Sequence, residues 1–127
     1  MGRALIVDDD PVALEVARES LVSAGFDVDV REEALGTSHW VLENQPEWVL
    51  LDVMMPALSG ADLARLISRS GRVGVVLYSS KSLRELEDLA VATGAIGFIR
   101  KGSTPQLLSA KFLEIVTRAR VAHGSAK

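Results

Sequence analysis

Residues 4–10 have the sequence Ala4-Leu5-Ile6-Val7-Asp8-Asp9-Asp10, a short apolar run that ends in three aspartates. The run does not alternate between apolar and polar residues, which is typical of a strand covered on both faces within a parallel sheet. Pro11 follows directly, and proline is favourable at the first position of a helix. This stretch therefore predicts a buried strand, an acidic turn and the start of a helix.

Four more apolar runs of strand length follow, and helix-length segments separate them. An alternation of strands and helices predicts a doubly wound α/β fold, in which right-handed crossovers place helices on both faces of a parallel sheet. The predicted strands are residues 4–7, 28–30, 49–51, 73–78 and 96–99, and the predicted helices are about residues 11–24, 34–44, 61–68, 83–93 and 105–120.

The length of the chain, 127 residues, is that of one domain with a single core. We expect this domain to cover residues 1–120 and a frayed C-terminal tail to cover residues 121–127. No cysteine is present, which excludes disulfides, thiolate zinc sites and a cysteine nucleophile.

The charge and hydropathy of the chain limit its partners. The net charge of -3 lacks the basic excess of a domain that binds nucleic acid directly, so a protein partner is expected. The N-terminus has no signal-peptide pattern, and no apolar run reaches the roughly 20 residues that a membrane-spanning helix needs. We therefore expect a cytoplasmic protein without a membrane anchor.

Polar side chains follow four of the predicted strands, at the point where each strand ends. Asp8-Asp9-Asp10 follow the first strand, Asp52 ends the third, Ser79-Ser80 end the fourth and Arg100-Lys101 end the fifth. Because ligands of an open parallel sheet bind beyond the carboxyl ends of its strands, this edge is the expected site.

Several carboxylates gathered in one pocket repel one another unless a cation neutralises them. Oxygen donors, with neither cysteine nor a well-placed histidine, favour Mg²⁺, with Mn²⁺ as a substitute. Alternatively, Asp8, Asp9 and Asp10 only cap the first helix, since acidic residues favour its positive end. Capping does not require three aspartates, however, and it leaves Asp52 at the end of an apolar strand unexplained.

These residues resemble the receiver domain of two-component response regulators. The resemblance covers residues 3 to about 119 and implies a flavodoxin-like (βα)5 three-layer sandwich with the parallel strand order 2-1-3-4-5. It rests on Leu5-Ile6-Val7-Asp8-Asp9-Asp10, Leu50-Leu51-Asp52-Val53-Met54-Met55-Pro56, Gly60, Ser79 and Lys101.

The resemblance implies that Asp52 accepts a phosphoryl group. It also implies that Asp8, Asp9, Asp52 and the backbone carbonyl of Met54 hold Mg²⁺, and that Lys101 supplies an ammonium group. Phosphoryl transfer needs a nucleophile and compensation of the charge on the transferred oxygens, which a carboxylate, a divalent cation and an ammonium group provide.

The resemblance further implies a conformational switch, in which the Ser79 hydroxyl moves toward the phosphorylated aspartate. Ser80 leaves an ambiguity of one residue, and either serine can simply end a strand. The coupled aromatic position is Phe98, where the family often has tyrosine; Phe98 can equally be a core residue. Gly102 follows Lys101 where many receivers have proline, so a cis peptide is not expected there.

Such a domain is a signalling switch that gains and loses its own phosphoryl group, and not a turnover enzyme. The resemblance implies a sensor histidine kinase or a phosphotransfer protein as the phosphodonor. It implies that the surface of helix 4, strand 5 and helix 5 binds a downstream output protein or domain, and it allows a homodimer.

Two other functions fit parts of the pattern. A receiver-like module that binds proteins without phosphorylation would keep the fold, although such a module would be expected to lose Asp52, Asp9 or Lys101. An aspartate-nucleophile phosphohydrolase would use an Asp-x-Asp motif, which Asp8 and Asp10 match loosely, but it would usually carry cap insertions. A dinucleotide-binding domain is disfavoured because no Gly-x-Gly-x-x-Gly follows the first strand.

Overall fold

The computed structural model describes residues 2–55 and 59–125, with side chains described as far as Ala122. Five strands alternate with five helices along this part of the chain, as the sequence predicts. The strands are β1 (Arg3–Val7), β2 (Asp27–Arg31), β3 (Trp48–Asp52), β4 (Gly74–Ser79) and β5 (Gly97–Arg100). The helices are α1 (Pro11–Ser23), α2 (Thr37–Asn44), α3 (Gly60–Ser68), α4 (Leu83–Thr93) and α5 (Pro105–Ser125).

All strand pairs are parallel, and the sheet order is β2-β1-β3-β4-β5. This order is the one that the resemblance implies, and it places β1 and β3 next to each other at the centre of the sheet. The carboxyl ends of β1, β3, β4 and β5 therefore meet at one edge, which is where the candidate site lies.

Two core layers cover the two faces of the sheet. Ala4 and Ile6 of β1 pack on the face of α1 and α5, whereas Leu5 and Val7 pack on the face of α2, α3 and α4. Since successive side chains of a strand point to opposite faces, both sets must be apolar. The uninterrupted apolar runs of the sequence follow from this three-layer arrangement.

Side-chain caps fix where several helices begin. The Asp10 carboxylate accepts the backbone N–H of Val12 at the start of α1. Ser82 and Glu85 form a capping box at the start of α4, and the Thr104 hydroxyl accepts the N–H of Leu107 at the start of α5. These caps satisfy amide groups that a helix leaves unpaired, and so they fix the first residue of each helix. The helix starts in turn fix the lengths of the loops that follow β1, β4 and β5 at the site edge.

Two helix bounds differ from the sequence prediction by more than one residue. α2 begins at Thr37 and not at Ala34, because Gly36 adopts a left-handed conformation with φ of 81°. α5 continues to Ser125, so residues 121–125, expected to be frayed, extend the last helix. No glycine or proline interrupts residues 106–123, and each residue added to an existing helix costs little.

The helical spacing of three apolar residues in the sequence predicts that they face inward, but all three are exposed: Val12, Leu66 and Leu83. Val12 lies two positions before the buried Leu14, which is about 200° around the helix. Apolar residues next to a buried stripe are therefore not all part of it.

No helix in the described part of the chain combines the length and the apolar character that crossing a bilayer would require.

Candidate functional site

Three aspartates meet at the carboxyl ends of β1 and β3. These strands are paired with Val7 opposite Leu51, so Asp8 and Asp52 follow at the same level of the sheet. Asp8 and Asp52 are buried and Asp9 is exposed, and one carboxylate oxygen of each lies within 4.8 Å of the others. The structure therefore brings together the three acidic side chains that the sequence predicted as metal ligands.

Asp10, the remaining aspartate of the acidic turn, has a different role. Its side chain caps α1, while its backbone N–H donates to Asp8 Oδ1 at 3.0 Å. The alternative that all three aspartates of the turn only cap the helix therefore holds for Asp10 alone. The second aspartate of the loose Asp8-x-Asp10 match to a phosphohydrolase therefore caps a helix, which weakens that alternative.

Asp8 has one oxygen that is buried without a hydrogen bond. Lys101 Nζ lies 2.8 Å from this Oδ2 atom and forms an ion pair with it. A buried carboxylate oxygen normally has a hydrogen-bond donor or a metal as its partner. This oxygen, the exposed Asp9 and the absence of nitrogen or sulfur donors from the acidic cluster fit a small hard cation.

Asp52 is held at both of its oxygens. The backbone N–H of Met54 donates to Oδ1 at 2.9 Å, and Lys101 Nζ lies 3.4 Å from Oδ2. Burial raises the pKa of Asp52, and the negative charge of Asp8 adds to the rise, whereas the Met54 hydrogen bond and Lys101 act in the opposite direction. Burial and the neighbouring carboxylate therefore disfavour the charged form of Asp52 even with Lys101 in place.

Lys101 lies directly after β5 and reaches back over the site. Its backbone N–H donates to the carbonyl of Ser79 at 2.7 Å, and its ammonium lies 5.2 Å from the centre of the Tyr78 ring. Burial disfavours the charged ammonium, but Asp8 and Asp52 outweigh this effect and raise the pKa of Lys101. An isolated ion pair would lower the pKa of its acid; here the pKa of Asp52 rises as well, because burial and the second carboxylate dominate.

The two serines at the end of β4 have opposite environments. Ser79 is fully buried, and its hydroxyl oxygen accepts the N–H of Lys81 at 3.2 Å. Ser80 is exposed, and its hydroxyl donates to the sulfur of Met54 at 3.7 Å. Of the two serines, Ser79 is therefore the one on the buried side of the sheet end, and its switching role stays a prediction.

Phe98 lies opposite Leu77 in the β4–β5 pair and packs against the core layer of α2, α3 and α4. This is the ordinary role of a strand phenylalanine, and a rotamer switch at Phe98 stays a prediction. All described peptide bonds are trans, as expected without a proline after Lys101, and Gly102 adopts φ of 100°, a conformation that favours glycine.

Sequence reasoning missed what Tyr78 does and the physical role of Gly60. The Tyr78 ring lies next to the Lys101 ammonium. Its position in the sequence, one residue before Ser79 in a buried strand, could have indicated that it lies at the site. A Cβ at Gly60 would lie 2.5 Å from the Val53 Cα, so only glycine allows α3 to begin against the backbone that follows Asp52. The motif contained Gly60, but no sequence pattern shows that approach.

Comparisons with known proteins identify the family of the chain. The sequence profile described as the response regulator receiver domain matches residues 4–113. The chain is 32% identical over 109 residues to the DNA-binding response regulator MtrA of Mycolicibacterium smegmatis, which covers 86% of this chain and 48% of MtrA. It is 30% identical over an alignment of 129 positions to the transcriptional regulatory protein AruR of Pseudomonas aeruginosa, covering 98% of this chain and 53% of AruR.

Solved structures share the fold. The chemotaxis response regulator CheY4 of Vibrio cholerae superimposes with a TM-score of 0.82 at 19% identity, covering 91% of this chain and 98% of that chain. A CheY-like receiver domain protein of Methanospirillum hungatei gives 0.80 at 24% identity, covering 93% and 95%. The chain spans about half the length of the relatives MtrA and AruR. It belongs to the response regulator receiver domain family, the phosphorelay signalling domains of two-component systems.

Proposed function

We propose that Asp52 accepts a phosphoryl group from a sensor histidine kinase, a phosphotransfer protein or a small phosphodonor, and that the modified state switches a protein-binding surface. The observation that carries the proposal is the setting of the Asp52 carboxylate. It ends an apolar strand, is buried, and lies between the Met54 N–H and the Lys101 ammonium. A carboxylate fixed in this way presents an oxygen in a constant direction to an incoming phosphorus atom.

In the proposed step, a carboxylate oxygen of Asp52 forms a bond to phosphorus while the bond from phosphorus to the donor breaks. From a phosphohistidine donor, the leaving nitrogen keeps the bonding electrons and later takes a proton from solvent. The product is an acyl phosphate on Asp52, which adds negative charge to a site that already holds Asp8 and Asp9. The chain needs cationic groups here to tolerate this charge.

Asp8, Asp9, Asp52 and the Met54 carbonyl would hold Mg²⁺, or Mn²⁺ in its place. When bound, the ion supplies charge compensation for the phosphoryl oxygens. Support comes from the buried Oδ2 of Asp8, which has no hydrogen bond, and from the closeness of the three carboxylates.

Lys101 would exchange partners when the phosphoryl group arrives. In the unmodified site its ammonium contacts Asp8 and Asp52, and a phosphoryl oxygen on Asp52 would compete for the same ammonium. Ser79 would donate its hydroxyl to another phosphoryl oxygen. The hydrogen bond from the Lys101 N–H to the Ser79 carbonyl joins the ends of β4 and β5, so the two residues would move together.

The surface that we propose to respond is formed by α4, β5 and α5. A downstream output protein or domain would bind there, and a second copy of this chain is the alternative occupant. The switch requires a surface with two arrangements whose populations depend on the charge at Asp52. We propose no turnover reaction for the chain beyond gain and loss of its own phosphoryl group.

Acetyl phosphate with Mg²⁺ tests the proposal. Intact mass spectrometry is expected to show one added phosphoryl group on the wild-type chain and none on Asp52→Asn. Removing Mg²⁺ with a chelator is expected to suppress the adduct. An equal adduct on Asp52→Asn, or no adduct on wild type with Mg²⁺, would refute phosphorylation at this residue.

A further inference from the structure

Two adjacent methionines lie in opposite environments beside the phosphoacceptor site. Met54 is 53% exposed, whereas Met55 is 6% exposed and packs in the core layer of α2, α3 and α4. Oxidation of a thioether to a sulfoxide depends on access of the oxidant to sulfur. Met54 is therefore open to oxidation while its neighbour is protected.

Met54 also contacts both sides of the site. Its backbone N–H donates to Asp52 Oδ1 at 2.9 Å, and its sulfur accepts the hydroxyl of Ser80 at 3.7 Å. The residue therefore joins the segment after β3 to the segment after β4, next to the buried Ser79. A thioether sulfur is a weak acceptor, so this second contact is weak in the reduced protein.

We propose that Met54 is an oxidation site for hydroperoxides, and that its sulfoxide lengthens the lifetime of the phosphoryl group on Asp52 by strengthening the contact with Ser80. The lifetime effect rests on the proposed function, whereas the oxidation site does not.

The oxidation step balances with hydrogen peroxide as the oxidant. A lone pair of the Met54 sulfur attacks one peroxide oxygen, a sulfur–oxygen bond forms and the oxygen–oxygen bond breaks. Sulfur loses two electrons, and the other oxygen leaves as water after proton transfer. The sulfoxide oxygen is a polar acceptor, so it takes a stronger hydrogen bond from the Ser80 hydroxyl than the thioether does.

This stronger bond would hold the ends of β3 and β4 together at the mouth of the site. Loss of the phosphoryl group requires a water molecule to reach phosphorus, and a firmer closure at Met54 and Ser80 slows that approach. We expect the lifetime to lengthen about fivefold, which corresponds to about 1 kcal/mol. This is the net contribution of one hydrogen bond.

The first experiment measures oxidation alone. The full chain is treated with dilute hydrogen peroxide and digested with trypsin, which places both methionines on the peptide of residues 32–65. Fragment-ion mass spectrometry then separates the two sites. Met54 is expected to oxidise roughly tenfold faster than Met55, in line with their exposure. Equal rates, or faster oxidation of Met55, would overturn the assignment of the site.

The second experiment measures the decay of the acetyl-phosphate adduct before and after oxidation of Met54. The wild-type lifetime is expected to lengthen about fivefold and to return after treatment with methionine sulfoxide reductase. Ser80→Ala removes the donor, and oxidation is then expected to change the lifetime less than about twofold. Met54→Leu is expected to show no effect of peroxide on its own lifetime.

An unchanged wild-type lifetime, or equal lengthening in Ser80→Ala, overturns the proposed contact. A chain that takes no phosphoryl group at all refutes the proposed function and the lifetime effect with it. The relative oxidation rates of Met54 and Met55 still decide the modification site in that case, so the two failures are distinguishable.

Discussion

Replacing Lys101 with methionine removes the cation that lies between two buried carboxylates while keeping a side chain of similar length. The Lys101 ammonium is 2.8 Å from Asp8 Oδ2 and 3.4 Å from Asp52 Oδ2. With an effective dielectric constant of about 20, these distances give gross attractions of about 6 and about 5 kcal/mol. Repulsion between the carboxylates and the cost of burying three charged groups offset most of this attraction.

The cost of truncation is therefore much smaller than the gross attraction. Removing one partner of a buried ion pair typically costs about 3–5 kcal/mol. The Lys101 side chain keeps 22% of its surface exposed, so we expect the lower end, about 3 kcal/mol near neutral pH. Millimolar Mg²⁺ is expected to recover part of this loss, because a bound cation neutralises the same carboxylates.

The loss should depend on pH in a defined direction. Burial raises the pKa of Asp52 above its ordinary value of 3.8, so the folded state takes up a proton at a higher pH than the unfolded chain. Tighter proton binding by Asp52 in the folded state adds to the free energy of unfolding. This contribution is fully present below pH 3.8 and is lost as pH rises through the pKa of Asp52 in the folded state. Since Lys101 lowers this pKa, its removal raises it further, and Lys101→Met should recover stability relative to wild type on acidification.

Urea unfolding followed by tryptophan fluorescence measures the effect at neutral and at acidic pH, with and without Mg²⁺. Lys81→Met is the matched control, because Lys81 pairs with Glu85 on the surface at 3.7 Å and should contribute less than about 0.5 kcal/mol. A Lys101→Met variant as stable as wild type at neutral pH, or one whose deficit grows on acidification, would refute the reasoning.

Three further substitutions test other parts of the structure. Asp52→Asn keeps an acceptor for the Met54 N–H but removes a buried charge, so urea unfolding should show higher stability than wild type near neutral pH. Because the pKa of Asp52 is raised in the folded state, this advantage should disappear as pH falls to 3.8. Gly60→Ala forces a Cβ against the Val53 backbone and should destabilise by about 1–3 kcal/mol in thermal unfolding; a raised Tm, the usual result of glycine to alanine in a helix, would contradict this. Ser109→Ala removes the 2.7 Å hydrogen bond from α5 to the Ser20 carbonyl of α1 and should cost about 1 kcal/mol in urea unfolding, and a loss below about 0.3 kcal/mol would count against a structural role for that bond.

Much of the fold could be predicted because its strands are buried on both faces. The run Val49-Leu50-Leu51 does not alternate with polar residues, which favours a strand covered on both faces, and the structure confirms this. The bounds of α2 and α5 could not be placed as well, since a left-handed Gly36 and the continuation of a helix to Ser125 depend on small local free energies.

The candidate site was predictable to the extent that sheet topology determines it. Asp52 ends a strand, Asp8 and Lys101 directly follow strands, and a parallel sheet with this strand order brings these strand ends to one edge. Which aspartate of the turn caps α1, and the contact of Ser80 with the Met54 sulfur, were not predictable, because both depend on distances within and between loops. The chemical roles of these residues remain predictions for the experiments above.

Lys101 follows an edge strand of the sheet, so the two halves of the site differ in how firmly the sheet holds them. Asp8 follows β1 and Asp52 ends β3, and each of these strands has a paired neighbour on both sides, whereas Lys101 follows a four-residue strand that pairs with β4 alone. Displacing an edge strand breaks one ladder of hydrogen bonds, but displacing a central strand breaks two. The acidic half of the site is therefore the anchored half, and any rearrangement should be taken up by the cation and its strand.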